Sequence, residues 1–503
     1  MKRRWILAAA ACAALGTSGC ALGPDFTRPA APESGYAHAP PAPSAARNLE
    51  YGADVADGWY QLFHSTALDQ LVRAALAGNP DLEAARHGLA AAQYELRAVS
   101  GAALPQFDAS GQIGRAHING SVLYSPVNAF TATGNRYALG VALAYNVDIF
   151  GGTRRAIESQ RATTAAVRDQ VLNTYVTLVD QTVITAFDYA ATLEQIEVTR
   201  TLVEQLQAQF ELTRTLENAG KVIRSDTLQT QTQLENLRAT LPSLEQQRDI
   251  YRNALAKLCG AWPDRFTAPA LTMRDFALPT TLPLSLPSAL VRQRPDVLAA
   301  EDNLHQASAA IGVAEAARFP SFSIFAQYAQ QTTLTDEFFT KPGGIWSGGL
   351  NATAPIFHGG ALAARQHEAE ERYRQALASY RSTVVGAFVE VADSLASLEH
   401  DSASYRAHTE ALTAARENRD LALEQYRAGK YNELQVLTTE QQYEQAALAE
   451  VQADVQRFTD IATLFRALGG GWWNAPHDPT ALASATATPA AKSATERGSQ
   501  GEN

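Results

Sequence analysis

A chain of 503 residues with 46% apolar side chains has ample material for a buried core, which excludes disorder as its main state. Its 41 Lys and Arg against 52 Asp and Glu give a formal charge of −11, so a nucleic-acid binder held by phosphate contacts is excluded as a leading reading. Mean hydropathy is −0.18 and no apolar run beyond the N-terminus approaches the roughly 18 residues of a membrane helix, which rules out a polytopic helical membrane protein but not a β-barrel.

Residues 1–19 read as a secretory leader. Lys2, Arg3 and Arg4 form its charged end, Ile6 to Leu15 its apolar stretch, and Thr17-Ser18-Gly19 a small-residue site before Cys20. Without the leader's three basic residues the charge falls to about −14. A cysteine at that place resembles the acylated first residue of bacterial lipoproteins, with Thr17 where Leu is usual. Ala21, rather than Asp, implies by the same resemblance the outer membrane. Cys12 leaves with the leader and Cys20 carries lipid, so Cys259 is the remaining thiol and no intrachain disulfide can form. It reads as a small core residue.

The body holds two copies of one plan. Asn79-Pro80-Asp81-Leu82-Glu83-Ala84-Ala85 is echoed by Arg294-Pro295-Asp296-Val297-Leu298-Ala299-Ala300, and Ala103-Leu104-Pro105-Gln106-Phe107 by Arg318-Phe319-Pro320-Ser321-Phe322. Asp148-Ile149-Phe150-Gly151-Gly152 returns as Ile356-Phe357-His358-Gly359-Gly360, and Ala219-Gly220-Lys221 as Ala428-Gly429-Lys430. After a linker over 20–60, repeat 1 spans 61–270: a helix, a strand pair at 105–116 and 135–148, and long helices at 153–219 and 225–259. Repeat 2 spans 271–474, with strands at 320–330 and 345–357 and helices at 360–428 and 433–468. The Ala/Thr/Ser/Pro-rich residues 475–503 are expected to be a disordered tail.

Two periodicities carry the chemistry. Tyr137, Leu139, Val141, Leu143, Tyr145 and Val147 alternate with small or polar residues, the pattern of a strand with one apolar face. Weaker partners are Phe107 to Ile113, Phe322 to Tyr328 and Trp346 to Ile356. Val171, Tyr175, Leu178, Thr182, Thr185, Tyr189, Thr192 and Ile196 recur in steps of four and three, a heptad seam that the second copy repeats from Tyr380 to Ala415. No proline interrupts Val127–Leu241 or Ile356–Ala475, so helices of some 65 residues, about 100 Å long, are permitted. Four strands cannot close a barrel, and an open edge in lipid leaves backbone groups unsatisfied at several kcal/mol each. The chain must therefore borrow strands, and three copies supply about twelve.

These residues, with Cys20 to Pro29, Arg292 to Val297 and Ala467 to Trp472, carry a resemblance to the outer-membrane efflux protein family of the TolC and OprM type, in its lipoprotein, NodT-like branch. The resemblance implies a mixed but mostly α fold of two tandem repeats. Its homotrimer joins a 12-stranded outer-membrane β-barrel, four strands per chain, to a long periplasmic coiled-coil helical barrel. It implies a passive small-molecule exit duct of a Gram-negative tripartite efflux system, no enzyme, working with a periplasmic adaptor and an inner-membrane RND-type pump. No cofactor is implied beyond the lipid on Cys20.

The helix turns at Gly220 and Gly429 become, by the same likeness, periplasmic tips. Ala219, Lys221, Val222, Ala428, Lys430 and Tyr431 are then the candidates for adaptor contact. Asp226 and Tyr426 are expected to pair as a latch between neighbouring helices, and Leu434 to narrow the closed pore. Gln435 and Thr438 stand where relatives carry an acidic ring, leaving Gln435 as a neutral polar ring. A conduit for secreted polypeptides and a non-conducting coiled-coil scaffold lipoprotein are the alternatives; the alternating Tyr137–Val147 segment argues against the second. The sequence contains neither His-Glu-x-x-His nor Gly-x-Ser-x-Gly, and Gly469-Gly470-Gly471 lacks the Lys-Ser or Lys-Thr of a phosphate loop.

Overall fold

The computed structural model describes residues 21–31, 35, 48–119, 131–285, 287–332, 338 and 343–481. The leader, Cys20, most of residues 32–47 and the tail from 482 lie outside the described residues. The chain divides into two units. One gathers residues up to Ala31 with Ala90–Asp169 and Asp296–Val385; the other gathers Pro32–Leu89, Gln170–Pro295 and Gly386–Asn503.

The first unit contains the sheet. Strands β2 (Gln106–Asn119), β3 (Thr131–Val147), β5 (Ser321–Thr332) and β6 (Gly344–Thr353) lie in that order, each antiparallel to its neighbour. Strict alternation places Phe107, Leu139, Val141, Ile324, Tyr328, Trp346 and Leu350 on one face. All of them are exposed in the single chain.

The residues after Cys20 are strapped onto this unit. The Leu22 N–H donates to the Phe150 carbonyl at 3.1 Å. The buried Arg155 guanidinium donates to the carbonyls of Leu22 and Gly23 and pairs with Asp25 at 2.7 Å and Glu158 at 2.8 Å. Phe26 stacks on His305 at 4.3 Å, and Arg28 pairs with Glu301. The close approach requires glycine at position 312, where a Cβ would meet the Leu22 oxygen at 2.6 Å.

The second unit holds the aromatic core. Composition predicts a linker through residue 60; the structure instead pairs β1 (Asn48–Tyr51) parallel with β4 (Thr281–Leu284) and buries Val55, Trp59, Tyr60 and Phe63. Trp59 stacks on Phe465 at 5.0 Å, and Phe63 meets Phe187 edge-on at 4.9 Å. This burial of large aromatic rings fixes the segment. Composition also predicts disorder from residue 475, yet Arg86 donates to the Pro479 carbonyl at 3.0 Å and Thr480 is buried. Cys259 is half-buried, and burial pushes its thiol up to about 11, as befits an inert packing residue.

Helices α1 (Thr66–Gly78), α2 (Pro80–Gly101) and α5 (Pro287–Gln293), α6 (Pro295–Ala316) lead into the two strand pairs. The long pairs follow: α3 (Gly152–Asn218) with α4 (Arg224–Leu258), and α7 (Ala361–Arg427) with α8 (Glu433–Ala467). Thr182 and Thr192, polar members of the α3 seam, and Thr213 further along the same helix are buried, and each hydroxyl donates to the carbonyl four residues back. That local bond lets a hydroxyl occupy a seam otherwise reserved for apolar groups.

The pre-proline residue does the same job in both repeats. Asn79 Nδ2 donates to the carbonyl of Leu258, the last residue of α4, and Arg294 donates to that of Ala467, the last of α8, each at 2.9 Å. Each satisfies an orphan carbonyl at a helix end. Arg294 also pairs with Glu390 at 2.9 Å; Glu390 approaches Arg466 at 3.5 Å, and Arg466 reaches the buried Asp180 at 3.4 Å. Burial pushes the Asp180 carboxyl up from 3.8 to about 6, Arg466 pulling it down and Glu390 pushing it further up. The folded chain therefore holds this proton more tightly than the unfolded one. The stability contributed by protonated Asp180 is complete below about pH 4 and is lost as pH rises through about 6. Asp180→Asn should flatten that part of the thermal midpoint against pH curve; an unchanged slope between pH 4 and 6 would remove Asp180 as its source.

Candidate functional site at the hairpin turns

Both long hairpins reverse through the same backbone device. In the first, the Gly220 N–H donates to Glu217 and the Lys221 N–H to Leu216; in the second, Gly429 donates to Tyr426 and Lys430 to Gln425. Gly220 has φ +68° and Gly429 φ +70°. These are paired six-to-one and five-to-two closures around a left-handed residue, which glycine adopts without a Cβ clash. Lys221, Lys430 and Tyr431 are exposed around the turns, as are Ala219 and Ala428, and Val222 is half-buried.

The second turn is additionally capped. Asn432 Oδ1 accepts from the Gln435 N–H and Gln435 Oε1 accepts from the Asn432 N–H, each at 3.0 Å, a reciprocal closure that satisfies two helix-end donors. Gln435 is exposed, with its amide oxygen engaged at the helix start.

The expected hydrogen bond between Asp226 and Tyr426 is not formed within the chain. Asp226 instead accepts from the neighbouring Ser225 hydroxyl at 3.5 Å. Tyr426 stands beside Glu433, and burial together with that carboxylate pushes the phenol up. Glu433 is the centre that the sequence concealed: it is only 4% exposed. Its carboxylate accepts from Gln209 Nε2 at 3.1 Å on α3 and lies within reach of the Thr213 hydroxyl at 3.2 Å and, on α4, the Thr230 hydroxyl at 3.1 Å, each of which shares its single hydrogen with the carbonyl four residues back. With Tyr426 on α7 and Glu433 itself on α8, all four long helices converge on one buried carboxylate. An apolar layer of Leu202, Leu206, Leu234, Leu237 and Leu437 packs nearby. An acidic residue opening a helix ordinarily reads as an exposed group favoured by the helix dipole, so only the polar Gln209 and Thr213 hinted at a buried partner.

Leu434, next along α8, is exposed. With Leu228, Leu237, Leu437 and Gln441 it lines a groove of about 580 Å³ between α4 and α8. Among the described residues there is no group of three or more His, Cys, Asp or Glu side chains placed to hold a metal ion, and no helix long and apolar enough to cross a membrane. Cys20 lies outside the described residues.

Removing the Glu433 carboxylate leaves the buried Gln209 amide unpaired, at about 1–3 kcal/mol before relaxation, while Thr213 and Thr230 keep the carbonyls of Gln209 and Asp226 as acceptors. Glu433→Ala should therefore accelerate amide exchange in the first turns of α8 and the last turns of α3 while sparing the aromatic core. Uniform protection in both proteins would show that the carboxylate does not hold the turns together.

A family model described as outer membrane efflux protein matches residues 71–261 and 286–470. The toluene efflux pump outer membrane protein TtgC of Pseudomonas putida is 28% identical over 455 residues, covering 90% of this chain and 93% of its own. The cation efflux system protein CusC of Escherichia coli is 26% identical, covering 92% and 98%. Among solved structures, the outer-membrane channel OprN superposes with a TM-score of 0.81 at 27% identity, covering 90% of this chain and all of that one. The CmeC outer membrane channel of Campylobacter jejuni shares the fold, with a TM-score of 0.82 at 22% identity over 90% and 95% of the two chains. The uncovered apolar sheet face, the doubled helical hairpins and these matches lead to one conclusion: the chain belongs to the outer membrane efflux protein family.

Proposed function

We propose that three copies of this chain form a passive exit duct through the outer membrane, the terminal component of a tripartite efflux pump. The observation that carries the reading is the joining, twice in one chain, of a strand pair with an uncovered apolar face to a helical hairpin about 100 Å long. A lipid-facing sheet and a periplasm-spanning hairpin are what a conduit needs, and a coiled-coil scaffold has no use for the first. Relatives named for toluene, antibiotic, pyoverdine and cation efflux support small molecules or ions as cargo over polypeptides.

In this reading Cys20 carries the lipid, and the residues from Leu22 onward are strapped at the strand-to-helix junction at Phe150. Gly220, Lys221, Val222, Gly429, Lys430 and Tyr431 present the surface for a periplasmic adaptor, and an RND-type inner-membrane pump supplies the energy. The duct itself performs no catalysis and requires no cofactor. Leu434 narrows the closed end, and Glu433, with Tyr426 beside it, ties the two hairpins of one chain so that they move together. Asp226 acts from the edge of that tie.

Removing the chain from its host should raise steady-state accumulation of a fluorescent efflux dye several-fold, with wild type restoring export. Leu434→Ala should restore export and also admit large antibiotics from outside. A host indifferent to the deletion would overturn the efflux role; restored export with unchanged antibiotic sensitivity would remove Leu434 as the constriction.

A further inference from the structure

The two outer edges of the sheet, on β2 and β6, have no partner strand among the described residues. The internal repeat specifies how they meet in an assembly. In the first hairpin Gln106 faces Ala144, and in the second Ser321 faces Thr353. Positions 215 apart on the leading strands thus correspond to positions 209 apart on the returning strands. The junction between the hairpins inside the chain is β3 against β5, with Tyr137 opposite Thr332, Val141 opposite Tyr328 and Val147 opposite Phe322. Carrying that junction forward by one repeat places β6 against β2 of the next copy. Trp346 then faces His117 of the partner subunit, Leu350 faces Ile113 of the partner subunit, and Thr353 faces Ser110 of the partner subunit.

We propose that β6 pairs antiparallel with β2 of a second copy in this one register. The inference rests on the trimeric duct and adds its seam. Two further observations select the register. A slip of one residue would set the apolar face of β6 against the opposite face of β2, because side chains alternate with period two. A slip of two keeps the faces but sets Leu350 against Gly111 or Arg115, whereas the repeat sets it against Ile113. Leu350 is 63% exposed and Ile113 83%. Ile113, an exposed apolar side chain of β2, thus falls opposite an exposed leucine of β6. All of Gly344–Thr353 finds partners, from Asn119 to Ser110 of the partner subunit, within the length of β2.

Cysteine pairs read the register directly. Directly opposed residues have Cα atoms about 4.5–5.5 Å apart, within disulfide reach, and a two-residue offset adds almost 7 Å along the strand. Within one chain positions 112 and 351 are separated by two intervening strands, about 14 Å, so their disulfide must join two copies. In full-length Cys259→Ala protein in outer membranes, Gln112→Cys with Asn351→Cys should oxidise to covalent trimers. The yield should exceed several-fold that of Asn351→Cys with either Ser110→Cys or Gly114→Cys. Single-cysteine variants establish by native mass that each substitution leaves assembly intact. Equal or higher yield from an offset pair, or no link from any pair in intact trimers, would overturn the register. A monomeric native mass for the untreated protein would instead overturn the trimer beneath it.

Discussion

An open sheet edge in hydrocarbon is the constraint on which this architecture turns. Each unpaired backbone N–H or C=O there costs several kcal/mol, since no water is present to satisfy it. Four strands from one chain leave two such edges, so the sheet is stable in lipid only as part of a closed ring. The duplicated plan follows from the same demand: each repeat brings one hairpin of strands and one hairpin of helices. The in-chain junction of β3 and β5 is the template for each junction between copies.

Away from the sheet, length rather than apolarity is the difficulty. A helix of 67 residues must stay packed along a seam that contains threonines, and the hydroxyls manage this by bonding back within their own helix. Specific polar closures are placed at its two limits. Near the strand end, Arg155 gathers the first residues after Cys20; at the turn, Glu433 gathers donors from α3 and α4. The repeats are alike in backbone and different in charge. Asn79 and Arg294 satisfy equivalent helix-end carbonyls, but only Arg294 enters an ionic chain through Glu390 and Arg466 towards Asp180.

Much of this was legible in the sequence. Period-two alternation marked Tyr137–Val147, steps of four and three marked the α3 seam, and the two Ala-Gly-Lys strings marked the reversals, because each signal is local and dictated by geometry. What escaped depended on distant partners. Trp59 and Phe63 sit in a stretch bordered by prolines and alanines, and nothing local says that Phe465 and Phe187 wait to cover them. Arg155 reads as a first-turn helix charge until Asp25 and the Leu22 carbonyl are seen beside it. Glu433 reads as a dipole-favoured acid until Gln209, Thr213 and Thr230 close over it. Analogy suggested Asp226 for Tyr426, and packing within the chain gives that phenol Glu433 as its neighbour.

The central claim is that copies of this chain enclose a conducting path whose narrow end lies at the hairpin turns. Single-channel recording of the purified, lipidated protein in a planar bilayer, beside the Glu433→Ala variant, tests it most directly. Small discrete conductance steps in wild type that enlarge in the variant are the predicted result. Electrical silence from both proteins, with membrane insertion and trimeric mass established, would contradict the account.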